Sequence, residues 1–248
     1  MRHFMQLSYR GEGFLGWQRQ PQVPTVQSAI EDALGALMRQ PVAVTGAGRT
    51  DAGVNARMMV AHFDAPAPLP PDLVYRLNSM VGRQIAIEKI WPVPDDAHAR
   101  FDAVERAYRY YCTVGKSPFL YQLAWQAPPH LDFEKMNEAA ALLIGRRDFT
   151  SFSKLHTQTK TNICDLRSAR WTEEAPGLWH FEITADRFLR NMVRAVVGTL
   201  VDVGRGKMPP EAISEIVERK DRCSAGTSMP GHALYLWRVA YPPGLVAP

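Results

Sequence analysis

Apolar residues at Phe4, Met5 and Leu7 predict a short strand over Phe4–Tyr9. The segment that follows, from Gly11 through Gly13, Phe14, Gly16, Trp17 and Arg19 to Gln20, is punctuated by glycines and predicts a contact loop carrying an aromatic and an arginine. From Val26 the apolar positions recur at Ala29/Ile30, Ala33/Leu34 and Leu37/Met38, behind the start signal Pro24-Thr25, which is the spacing of an amphipathic helix. Val42–Val44 predicts a short strand that ends in the glycine-rich turn Gly46–Gly53, and Met58–Phe63 predicts another buried strand.

The stretch from Asp64 to Asp72 holds four prolines and predicts an extended, semi-rigid connection. A second proline-bearing stretch, Trp91–Asp96, precedes a strand predicted over Val104–Val114, and we place a boundary there, giving halves 1–100 and 101–248. The second half repeats the order of the first. After its strand comes a helix with Asp132 as N-cap, core positions Met136, Ala139/Ala140 and Leu143/Ile144, and Gly145 past its end. Trp179–Ala185 alternates as a strand, and Phe188–Val201 predicts a helix whose polar face carries Arg187, Arg190/Asn191 and Arg194. Pro209-Pro210 opens a further helix to Arg219, and Leu234–Val239 closes the series as a strand. This order predicts a mixed α/β (α+β) fold of two related ferredoxin-like or RRM-like units, with a mainly antiparallel sheet flanked by helices.

Composition narrows the function classes. The 248 residues are 46% apolar and 22% charged, an ordinary globular balance. The longest apolar run, Ala139–Ile144, falls far short of the roughly 20 residues that span a membrane. Met1-Arg2-His3 leads straight into the first strand with no signal-peptide pattern, so a cytoplasmic protein is expected. Cys112, Cys164 and Cys223 are far apart and the seven histidines are scattered, so neither a disulfide framework nor a metal site is expected. The net charge of +4 permits an anionic partner such as RNA without demanding one.

Three segments carry candidate chemistry. The Gly46–Gly53 turn projects Arg49 and Asp51 from a strand end; it lacks the Gly-Lys-Ser/Thr of a phosphate-binding loop, and an aspartate in such a turn is by itself usually a turn-former or cap. Tyr108-Arg109-Tyr110-Tyr111 suits stacking on unpaired bases, or simply a half-buried strand. The Arg187/Arg190/Arg194 face suits phosphates or a carboxylate, or a solvated helix face.

The order in which these blocks occur adds a resemblance. Gly16-Trp17-Gln18-Arg19-Gln20, Val26-Gln27, Ala47-Gly48-Arg49-Thr50-Asp51-Ala52-Gly53-Val54, Val93-Pro94-Asp95-Asp96 with His98-Ala99-Arg100-Phe101, and Tyr108-Arg109-Tyr110 occur in that order. They are followed by Asp148–Phe152, Met192-Val193-Arg194 with Val197-Gly198, and Leu234-Tyr235-Leu236. End to end, the chain resembles the tRNA pseudouridine synthase A family. It departs from the family pattern at Asn55, Met80-Val81, Ala107 and Arg190-Asn191.

The resemblance implies a pseudouridine synthase fold and an isomerase that converts uridine to pseudouridine in the anticodon stem-loop of tRNA, at positions 38–40, by base flipping. It implies no cofactor and no metal, tRNA as partner, and a homodimer. Carried over residue by residue, Asp51 is the nucleophile, by attack on the sugar or by assisting loss of the base. Arg194 is its basic partner, because a cation beside a carboxylate favours the ionised form. Tyr108 stacks on the flipped uracil, Arg49 fills the gap that the base leaves, and the Trp17/Arg19 loop reads phosphates and shape. Two rivals stay open at this level: a non-catalytic RNA-binding module, and a hydrolase using Asp51, although glycosidases usually pair two carboxylates.

Overall fold

The computed structural model describes residues 1–65, 68–154 and 161–246. Pro66 and Ala67 of the proline-rich connection, and His156, lie outside the described residues. The chain divides into two compact units, Met1–Val104 with Tyr235–Pro248, and Glu105–Leu234.

In the first unit, strand β1 (Arg2–Tyr9) lies between β3 (Asn55–Asp64) and β4 (Ile85–Val93), antiparallel to both. The short strand β2 (Val44–Gly46) adds antiparallel to the far end of β3, while β10 (Leu234–Ala240) adds parallel to its near end, Tyr235 opposite Asn55. A strand nearly 180 residues away in sequence thus completes the unit, and no local pattern announces that pairing. Both faces of β1 are buried: Phe4 packs with Val60, Trp91, Val93, Ala97 and Ala99, while Met5 and Leu7 are enclosed on the other face.

Helix α1 (Val26–Met38) forms as its spacing predicts. Thr25 is its N-cap, with Thr25 and Ser28 closing a reciprocal capping box, and Val26, Ile30, Ala33 and Leu34 are buried. Helix α2 (Leu73–Met80) was not legible: it is short, begins without a side-chain cap, and buries only Leu73 and Leu77. Asn78 nevertheless ties it to β4, with its Oδ1 accepting from the Ile87 N–H and its Nδ2 donating to the Ile87 carbonyl, both at 2.8 Å.

In the second unit the strand order is β5 (Glu105–Val114), β9 (Leu178–Ala185), β8 (Ile163–Ala175) and β7 (Gly145–Asp148), all antiparallel, with β6 (Trp125–Ala127) parallel to β5. Tyr110, Phe181 and Trp171 are in register across β5, β9 and β8 and form the centre of a buried aromatic face. Helix α3 (Phe133–Ala141) closes on it. Phe133 stacks on Trp179 at 3.9 Å, and Asn137 pairs with both the N–H and the carbonyl of Trp171. Asp132 caps α3 by accepting from the Lys135 N–H. The helix ends at Ala141, four residues before Gly145, which opens β7 with a φ of +113°.

Helix α4 (Met192–Gly204) starts four residues later than its periodicity predicts. Asn191 adopts a left-handed φ of 66°, which ends the preceding turn, and Leu189 is buried from outside the helix. Arg187 and Arg190 therefore do not share a helix face with Arg194. Helix α5 (Ala212–Arg219) follows. Among the described residues there are ten strands and five α-helices, most of the pairing antiparallel, so the chain is of mixed α/β class. No described helix is long and apolar enough to cross a membrane.

Candidate active site

Asp51 sits in the turn between β2 and β3, and the end of β1 and the loop that follows it close on that turn. The hydroxyls of Tyr9, at the end of β1, and Thr50 lie 2.9 Å apart in a buried contact. The Thr50 carbonyl accepts from the Trp17 N–H at 3.1 Å, and the Gly53 N–H donates to the Phe14 carbonyl at 3.4 Å. The backbones approach so closely that a Cβ on Gly16, whose φ is +91°, would stand 2.5 Å from the Thr50 oxygen. A Cβ on Gly11 would stand 2.4 Å from the Val54 oxygen. Glycine at these two positions is thus dictated by backbone proximity.

The glycine-punctuated loop is therefore a buttress for the Asp51 turn. Trp17 is 2% exposed, with its indole packed where a Cβ on Gly46 would meet it at 2.6 Å. Arg19 reaches α1, donating to Glu31 and Asp32. Gln27 on α1 accepts from the Arg19 N–H and donates to the Val44 carbonyl, so loop, helix and β2 are locked together. Asn55, at a position where the sequence departs from the family pattern, accepts from the Gly11 N–H at 2.9 Å and so holds the start of the loop to β3. Within this frame the Arg49 side chain is exposed and Asp51 is half-buried.

In the second unit Tyr108 is half-buried on β5, on the same strand face as Tyr110, with its ring edge-on to Phe188 at 5.1 Å. Arg194, in the first turn of α4, is held by the segment that crosses that helix: its Nε donates to the Met229 carbonyl, and its own carbonyl accepts from the Met229 N–H. That segment can lie there because Gly198 has no side chain. A Cβ on Gly198 would meet the Thr227 oxygen at 1.8 Å, and the Thr199 hydroxyl accepts from the Gly226 N–H. The Val197-Gly198 block thus positions Arg194 through a backbone crossing. On the opposite face of β5, Arg109 is engaged by Glu182 and Glu174.

Sequence reasoning missed Tyr9, Gln27 and Asn55 as supports of the Asp51 turn. Gln27 had a signal, since it occurs in one of the quoted blocks; for Tyr9 only its place at a strand end was visible. The His98–Phe101 block is structural in part. His62 Nδ1 accepts from the Ala99 N–H at 3.0 Å, and burial pushes the His62 imidazole down to about 4, with His98 and Arg2 adding to the shift. Among the described residues no group of three or more His, Cys, Asp or Glu is placed to hold a metal ion.

A family model for tRNA pseudouridine synthases matches residues 6–102 and 139–242, a span that includes Asp51, Arg49 and Arg194. The chain belongs to the tRNA pseudouridine synthase family. It is 55% identical over 244 residues to tRNA pseudouridine synthase A of Parabacteroides distasonis, covering 97% of this chain and 96% of the relative. It is 54% identical to the Porphyromonas gingivalis enzyme of that name over 98% of both chains. The identity to the Bacillus subtilis enzyme is 41%, over 95% of this chain and 97% of the relative. As a tRNA pseudouridine synthase the chain is an isomerase that acts on tRNA.

Proposed function

We propose that this synthase isomerises uridine in the anticodon stem-loop of tRNA, at positions 38–40, with Asp51 as nucleophile. The C1′–N1 bond breaks as the Asp51 carboxylate attacks the sugar or assists loss of the base, the ring turns, and a C1′–C5 bond forms as Asp51 is released; the proton lost at C5 is balanced by one gained at N1. The reaction is an intramolecular rearrangement and consumes no co-reactant.

The observation that carries this reading is the convergence on the Asp51 turn. Gly11, Gly16 and Trp17 close on its backbone and Tyr9 bonds the Thr50 side chain, while the side chains of Asp51 and Arg49 keep some exposure. A turn held from so many sides fixes where a carboxylate is presented, which is what nucleophilic attack requires. Arg49, two residues earlier, is the side chain that replaces the extruded base in the stack and offsets part of the few kcal/mol that flipping costs.

In the second unit Tyr108 is the ring that receives the flipped uracil, and its edge-on packing against Phe188 fixes the plane of that ring. Arg194 is the basic partner of the nucleophile, and its Nε bond to the Met229 carbonyl restricts its side chain. Trp17 is buried and supports the turn from behind, so within the Trp17/Arg19 loop it is Arg19, its side chain 44% exposed, that is left to read tRNA phosphates. We place the reaction in the cytoplasm and the working enzyme as a homodimer. The test is an Asp51→Ala variant: it retains tRNA binding and forms no pseudouridine, whereas Asp51→Ala turnover like that of the wild type would remove the assignment.

A further inference from the structure

The turn that follows β4 carries a surface feature that the chemistry at Asp51 does not use. Its backbone is clamped from three strands or their ends. Arg2 of β1 donates to the Ala97 carbonyl at 2.9 Å, His62 of β3 accepts from the Ala99 N–H, and the Tyr241 hydroxyl, just past β10, donates to the Ala99 carbonyl. His98 Nδ1 accepts from the N–H groups of Arg100 and Phe101, and Asp102 accepts from the His98 N–H at 2.7 Å. What this framework presents is Phe101, 74% exposed. The His98 ring backs it at 4.2 Å, and the Arg100 guanidinium lies 5.7 Å from its centroid.

A large apolar ring held this far out of the protein gains little from folding, since burial is what stabilises a phenylalanine. Its rigid mounting removes the entropy cost of ordering it when something binds. The cation beside it favours an anionic partner, and an aromatic face next to an arginine is the arrangement that receives nucleic-acid bases beside their phosphates. From Asn55, close to the Asp51 turn, to His62, beside Ala99, β3 runs on the order of 20 Å at about 3.3 Å per residue.

We propose that Phe101, with Arg100 beside it, is an RNA-stacking platform that receives a base of the tRNA at a distance from the reacting nucleotide. The proposal rests on the tRNA reading of the preceding subsection and deepens it: the platform sets how tightly tRNA is held and leaves the isomerisation step alone.

The test is equilibrium binding of an unmodified tRNA transcript to the wild type, Phe101→Ala, Phe101→Leu and Phe101→Trp, with turnover, thermal midpoint and sedimentation measured for each. Stacking on one base predicts that Ala and Leu both weaken binding by roughly ten-fold while Trp restores it. KM rises correspondingly, kcat at saturating tRNA stays as in the wild type, and the thermal midpoint is unchanged because the ring is exposed. Wild-type affinity in Phe101→Ala overturns the proposal. So does rescue by Leu, which would show an apolar contact rather than stacking, and so does a loss of self-association at unchanged tRNA affinity, which would assign the ring to a second copy of the chain. A wild-type protein that neither binds nor modifies tRNA would instead overturn the function proposed above, and this platform with it.

Discussion

The Tyr9 and Thr50 hydroxyls lie 2.9 Å apart in the interior of the first unit, so the residue immediately before Asp51 is bonded to the end of the first strand. Tyr9→Phe removes one partner and leaves the Thr50 hydroxyl buried, a loss of about 1–3 kcal/mol. Because the bond fixes the turn, single-turnover rates on tRNA should fall while tRNA affinity holds. Equal losses in both would show that the contact serves the fold alone.

Gly46, the last residue of β2, and Gly48, in the turn that follows, differ in what surrounds them although they are only two residues apart. A Cβ at Gly46 meets the Trp17 indole at 2.6 Å, whereas nothing lies within 4 Å of one at Gly48. Gly46→Ala should therefore destabilise the protein by roughly 1–3 kcal/mol through overpacking. Gly48→Ala should be neutral or slightly stabilising, since it restricts the unfolded chain without a clash. Thermal midpoints of the two variants side by side decide this, and similar values for both would contradict the packing described for Trp17.

His62 makes the fold sensitive to acid. Its Nδ1 must be unprotonated to accept from the Ala99 N–H, and burial lowers its affinity for a proton from 6.5 to about 4. The unfolded chain takes up that proton first. The stabilisation is therefore complete above about pH 6.5, declines as pH falls towards 4, and is lost below that, on the order of 3 kcal/mol in all. Arg2, Asp64, His98 and Asp102 surround the imidazole; the His98 shift is also downward, chiefly from burial, and acts in the same direction. His62→Gln, which keeps an acceptor, should flatten the urea-unfolding free energy between pH 6.5 and 4, and an unchanged slope would contradict this role.

Tyr110 is wholly buried, and its hydroxyl has no hydrogen-bond partner among the described residues. Its ionisation is pushed upward by burial, so it stays neutral at any working pH. Tyr110→Phe removes a desolvated group that nothing compensates and should raise stability by about 1 kcal/mol, or a few degrees in thermal midpoint. A lower midpoint would reveal a partner for that hydroxyl.

What was legible in the sequence was what local periodicity and chemistry determine. Helix α1 and its Thr25 cap, the Asp132 cap of α3, and strands β1, β5 and β9 follow from spacing that their own packing faces enforce. Helix α4 was misplaced at its start because Leu189 continues the apolar rhythm from a non-helical turn, and only the left-handed Asn191 marks the break. Strand β7 reads Gly-Arg-Arg-Asp and has no apolar signal at all; it exists through its pairing with β8. The placement of β10 beside β3 is a long-range pairing that no window of sequence contains. At the site, the motif blocks named the residues, but not that Trp17 faces inward or that Arg19 is held by Glu31 and Asp32, because those depend on how loop and helix meet.

The role of Asp51 is tested most directly by incubating the purified protein with an unmodified tRNA transcript and mapping pseudouridine at single-nucleotide resolution, with Asp51→Ala run in parallel. Pseudouridine should be confined to the anticodon stem-loop and absent with Asp51→Ala, which still binds the transcript. Modification by Asp51→Ala, release of free uracil in place of pseudouridine, or binding without modification by the wild type would each contradict it.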